Sequence, residues 1–225
     1  MEHLENLPSY RYPVEDLLKE LAEVPPPGAC GAASWLCAIA SALVAKVARM
    51  TIGREGFEPV EEEMRRILAR ATTIGDQSEE LIDQDPTVMN RLAAAAALPL
   101  TTPEEQDLRH TLVQSALKNA AQAPMLIAQN GQEIFNLAES VFRYGVPSGA
   151  TEAILAVRTA VAAIDGALLA GLAKAAKIED EAFTAELREK AIAIRSHVKA
   201  TETALMDRAM TRHLLNSEGL GASNA

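Results

Sequence analysis

Pro25-Pro26-Pro27-Gly28-Ala29-Cys30-Gly31-Ala32-Ala33-Ser34-Trp35-Leu36-Cys37-Ala38-Ile39-Ala40-Ser41-Ala42-Leu43-Val44-Ala45-Lys46 is the stretch that decides the architecture. Three prolines stop whatever precedes them, because each lacks an N–H and fixes φ. A run of small and aliphatic residues then predicts a helix from about Gly31 to Met50. The uncharged part, Gly28 to Ala45, is 18 residues long and just reaches the length of a membrane span. Its Ala, Ser, Gly and Cys content inserts poorly, and Lys46 and Arg49 follow at helical spacing, so it reads as a buried core helix.

Outward from that helix the pattern stays helical. Pro13 opens a short acidic helix ending near Val24, and Pro59 with Glu61, Glu62 and Glu63 opens another after the Ile52 to Phe57 break. That helix is expected to reach about Thr73, with Gly75 at most a kink, and the pattern resumes to Leu98. Thr102, Pro103 and Glu105 form a capped start, and Pro124 is expected to kink or split the long segment ending near Tyr144. Ser148 or Thr151 is expected to cap an Ala-rich helix to about Ala176, and Glu179 to Leu215 reads as the last helix, with a frayed tail after about 217. With 48% hydrophobic but only 4% aromatic residues, the core must be built from Ala, Leu, Ile and Val, which suits closely packed helices. The expectation is one soluble all-α domain over 1–225, an up-and-down bundle of long helices. Apolar stripes too wide for one copy to cover predict a homodimer or higher homo-oligomer.

A net charge of -10 argues against nucleic acid and anionic membrane partners, since neutralising phosphates takes clustered Lys and Arg. Cys30 and Cys37 lie two turns apart on one helix, about 10 Å, too far to bridge each other. Reduced thiols and the absence of a basic, apolar leader point to the cytoplasm. His3, His110, His197 and His213 have no mutual ligand spacing, so no metal is expected. The proline brake followed by small residues can present backbone N–H groups to an anion, or serve only as a tight cap.

Several segments taken as a set resemble the cyclodeaminase/cyclohydrolase family. They are Pro25 to Gly31, where the family has a Pro-x-Pro-Gly-Gly-Gly-Ser loop; Thr51-Ile52-Gly53-Arg54; Phe57-Glu58; and Glu61-Glu62-Glu63-Met64. Asp83 and Asp85 match its Asp-x-Asp, the Leu98-Pro99 and Ala123-Pro124-Met125 steps match its breaks, and Thr151-Glu152 stands for its Ser-Asp. Ala29 and Cys30 replace the second and third glycines, and Glu55 and Gly56 stand where lysines are common.

The resemblance implies chemistry on a tetrahydrofolate derivative, bound as substrate without a metal. Its first reading is hydrolysis of 5,10-methenyl-tetrahydrofolate to 10-formyl-tetrahydrofolate; formimino-tetrahydrofolate cyclodeamination and a repurposed, non-catalytic binding or assembly role are the alternatives. Asp83, Asp85 and Glu152 are the candidate base or electrostatic groups. Pro27, Gly28, Ala29, Cys30, Gly31, Lys46, Arg54 and Thr151 are the candidate substrate contacts.

Overall fold

The computed structural model describes residues 13–23, 28–82 and 84–220, with the side chains of 20, 84–86 and 212–220 outside the description. Seven α-helices follow one another among those residues: α1 (Val14–Ala22), α2 (Ala29–Thr51), α3 (Glu61–Ile82), α4 (Gln84–Ala96), α5 (Pro103–Tyr144), α6 (Ala150–Ala175) and α7 (Glu181–Leu220). The all-α up-and-down bundle expected from composition is what forms.

Local chemistry explains most boundaries. At the start of α5 the Thr102 hydroxyl accepts from the Glu105 N–H at 3.2 Å, and the Glu105 carboxylate accepts from the Thr102 N–H at 3.1 Å. Two of the helix's unpaired donors are thereby satisfied, as the sequence predicts. α2 ends because Ile52 turns extended and Gly53 takes φ 71°, followed by Gly56 at φ 85°. An added Cβ would meet nothing at either glycine, so left-handed backbone rather than crowding requires them. α7 is started by Asp180, whose carboxylate accepts from the Phe183 N–H at 3.0 Å.

Some local expectations are refined and one is corrected. Pro124 lies inside α5 without splitting it, and α3 runs past Thr73 and through Gly75 to Ile82, as the resumed pattern allows. At Pro124 the ring is buried against α6, where a Cβ on Gly171 would stand 3.3 Å from the proline Cβ. Tertiary packing thus offsets the hydrogen bond that proline removes. Neither Ser148 nor Thr151 caps α6: the N-cap is Gly149 with no side-chain bond, and Thr151 is already helical.

The helices pack closely because their contact faces are small. On α2, Ala33, Ala40, Val44, Val47 and Ala48 are buried, and on α6, Ala153, Ala156, Ala160, Ala163 and Ala167. A Cβ on Gly131 of α5 would come 2.8 Å from the Ile164 Cγ1 of α6, so this crossing depends on glycine.

The pairings fix directions. Gly75 of α3 faces Ser41 of α2, the Cys37 thiol meets Ser78, and Gly53 donates to Glu61 at 3.3 Å, so α3 runs antiparallel to α2. Cys30 of α2 lies beside Lys174 of α6 while Lys46 lies beside Glu152, so α6 is also antiparallel to α2. Lys118 pairs with Asp180 and His197 with Asn136, so α7 runs parallel to α5.

α2 and α6 are apolar on nearly every side, long enough by length and composition to cross a membrane, yet only 56% and 50% of their most apolar windows are buried. Exposed Ile39 on α2 and exposed Leu155 and Leu169 on α6 mark the uncovered side.

Candidate functional site

Antiparallel packing sorts the candidate residues to two ends of the bundle. At one end, Gly28 caps α2 in extended backbone, and Ala29, Cys30 and Gly31 are its first helical residues. None of the described residues here has positive φ, so Ala29 and Cys30 occupy a conformation any residue adopts. The sulfur of Cys30 is 3.5 Å from the Lys174 Nζ on the last turn of α6. One turn along α2, the Ser34 hydroxyl is fully buried and has no hydrogen-bond partner among the described residues. α3 also ends at this end, at Ile82, as its antiparallel pairing with α2 requires. Pro27 and Asp83 lie outside the described residues, and so does the side chain of Asp85.

At the opposite end, Lys46 Nζ donates to Glu152 Oε1 at 2.7 Å across α2 and α6. The Lys46 ammonium and the N–H of Glu152 itself hold this carboxyl below its usual range, against a smaller opposing effect of burial. Glu152 therefore stays ionised near neutral pH. Thr151 is exposed beside it, and Arg54 is exposed on the turn after α2. Cys30 and Lys46 are sixteen residues apart on one helix, about 24 Å along its axis. A single copy therefore does not gather the candidates into one pocket.

Two residues matter here that the sequence reading leaves aside. Thr51 is fully buried: its hydroxyl donates to the Val47 carbonyl at 2.9 Å and accepts from the Val146 N–H at 3.1 Å. It ties the end of α2 to the turn that launches α6, and so sets Lys46 against Glu152. Its place at the head of the Thr-Ile-Gly-Arg segment was the available signal. Lys174 is the second, a cation on the last turn of an Ala-rich helix, but only the antiparallel pairing reveals that it meets Cys30.

Among the described residues no group of three or more His, Cys, Asp or Glu could hold a metal ion. Cys30 and Cys37 are both buried and in no disulfide, and burial raises the Cys37 thiol to about 11, partly opposed by a bond with Ser78.

Residues 13–193 match the model of the formiminotransferase-cyclodeaminase family. The chain is 31% identical over 174 residues to the methenyltetrahydrofolate cyclohydrolase of Methylorubrum extorquens, covering 77% of this chain and 84% of that enzyme. It is 25% identical to the formimidoyltransferase-cyclodeaminase of Sus scrofa, of which it spans only 34%. In fold it is similar to the formiminotetrahydrofolate cyclodeaminase of Thermotoga maritima, with a TM-score of 0.80 at 22% identity over 89% of this chain and 97% of that one. Matched from α1 into α7 and along most of a cyclohydrolase of similar extent, the chain belongs to the formiminotransferase-cyclodeaminase family.

Proposed function

We propose that this protein is a folate one-carbon enzyme that hydrolyses 5,10-methenyl-tetrahydrofolate to 10-formyl-tetrahydrofolate in the cytoplasm. The observation that carries the reading is the likeness to the Methylorubrum cyclohydrolase across 84% of that enzyme's length. In the proposed reaction, water adds to the methenyl carbon, a carboxylate takes the proton that water loses, and the bond from that carbon to N5 breaks as N5 is protonated. Fixed negative charge favours binding of the cationic methenyl substrate, and the carboxylate base assists the attack of water.

In this reading Asp83 and Asp85 act as the base. Glu152, held ionised by Lys46, contributes charge rather than proton transfer, because a carboxylate with a lowered pKa is a weak base. Gly28 to Gly31, with Pro27 before them, receive the ligand at the start of α2, where the positive end of the helix dipole and the Lys174 ammonium favour an anion. Lys46, Arg54 and Thr151 belong to the same site only through a second copy. Two copies joined antiparallel by the uncovered α2 and α6 faces bring the first end of one to the second end of the other, and Ile39 and Leu155 supply the apolar contact.

Cyclodeamination of a formimino-tetrahydrofolate is the second reading, favoured by the Sus scrofa relative and by the fold of the Thermotoga protein. Both reactions act at the same amidine-like carbon, and the leaving group separates them. Purified protein is assayed for loss of methenyl absorbance and for ammonia release from the formimino compound. The first activity is expected, and Asp83→Asn or Asp85→Asn should lower it by about two orders of magnitude in a folded variant. Ammonia release alone would replace the leading reading with the second. Tetrahydrofolate binding without either activity would assign the chain a binding or assembly role.

A further inference from the structure

A groove of about 730 Å³ runs between α6 and α7, and nothing in the folate reading uses it. Its floor is apolar, built by Leu168, Leu169 and Leu172 on α6 with Ile192 opposite on α7. Leu169 is 70% exposed and Ile192 66%, so two large aliphatic side chains face each other across an open cleft. Along the α7 rim stand Arg188 and Arg195, seven residues and so two turns apart, about 10 Å.

Arg188 has Thr184, Ala185, Ala191 and Ile192 at the positions three and four residues away, so no carboxylate lies within helical reach. It makes no ion pair among the described residues. Asp165, the carboxylate that lines the groove, is held by Arg195 Nε at 3.0 Å, so its charge is offset. A cleft of this size with an apolar floor and a few convergent charged groups has the form of a small-molecule site.

We propose that this groove binds a small anion with an apolar body, such as an aryl or acyl carboxylate or sulfonate. The Arg188 guanidinium takes the charged end, Arg195 neutralises Asp165 beside it, and the leucines and Ile192 cover the apolar part. A second copy seated symmetrically about the α7 rim is disfavoured because it would set the Arg188 guanidinium of each copy against that of the other. Arginine suits the role because its planar fork meets a carboxylate or sulfonate with two parallel bonds.

The test uses 1-anilinonaphthalene-8-sulfonate as the anionic probe and N-phenyl-1-naphthylamine as its uncharged counterpart, titrated by fluorescence against the full chain. Saturable binding of one sulfonate probe per chain is expected. Arg188→Gln should weaken the sulfonate about tenfold and leave the neutral probe unchanged, while Leu169→Ser with Ile192→Ser should weaken both. Both changes are at exposed positions, and circular dichroism checks that each variant is folded. Non-saturating fluorescence, equal affinity in Arg188→Gln, or full competition by 5-formyl-tetrahydrofolate would overturn the proposal. So would probe affinity that rises as the protein is diluted, which would make the groove a contact between copies.

Discussion

Replacing Thr51 by valine removes one hydroxyl from a site with no access to water, while keeping shape and volume. Thr51 is 0% exposed and Val146 is 2% exposed, so the Val146 N–H loses its acceptor with no solvent to replace it. A buried donor left unpaired costs about 1–3 kcal/mol. The bond to the Val47 carbonyl adds little, because that carbonyl already sits in the helix ladder. We therefore expect Thr51→Val to lower stability by about 2 kcal/mol, or roughly 4–8 °C in melting temperature for a chain of this size. Thr51→Ser keeps the hydroxyl and loses one methyl, which should cost about 1 kcal/mol or less. Urea unfolding followed by circular dichroism measures both variants at matched slope. Because Thr51 holds the turn that launches α6, Thr51→Val should also lower any folate turnover that depends on the Lys46–Glu152 pair. A valine variant within 0.5 kcal/mol of the wild type, or a serine variant less stable than the valine one, would refute this account of Thr51.

Ile39→Glu, at an exposed position on α2, should turn the proposed dimer into a monomer of 24.0 kDa by sedimentation; a native chain that is already monomeric at micromolar concentration removes the shared site. The Cys37 thiol is held protonated by burial, with its pKa raised from 9.0 to about 11, so its contribution to stability is complete below pH 9.0 and declines as pH rises through about 11. Cys37→Ala should flatten that alkaline decline, and iodoacetamide at pH 8 should leave Cys37 of the native protein unmodified. Restoring glycine at Ala29 and Cys30 should cost up to about 1 kcal/mol each, since both are helical, and tighten tetrahydrofolate binding by calorimetry. Unchanged or weaker binding in a folded double variant would show that the loop serves packing or another ligand.

The helices themselves were legible in the sequence, since their causes are local. The Thr102–Glu105 box and the glycines after α2 each act within a few residues. The family was legible too, because short motifs in a fixed order survive where each alone says little. What the sequence misjudged were points where a neighbouring helix overrules local preference. Pro124 stays helical because Gly171 lets α6 close on its ring, and α6 starts from Gly149 because Val47 of α2 packs there, where a Cβ would come 2.9 Å from the Val47 Cγ1.

The sequence by itself determined the element type, the small-residue core and the list of candidate side chains, all of which follow from composition and spacing along one chain. Only the tertiary structure decided which candidates meet. Spacing along a helix sets which residues share a face, but the direction in which the next helix packs sets which end they share. Antiparallel α2 and α6 put Cys30 beside Lys174 and Lys46 beside Glu152, about 24 Å apart. The sequence lists Cys30, Lys46 and Glu152 together, whereas the fold divides them between opposite ends of one bundle.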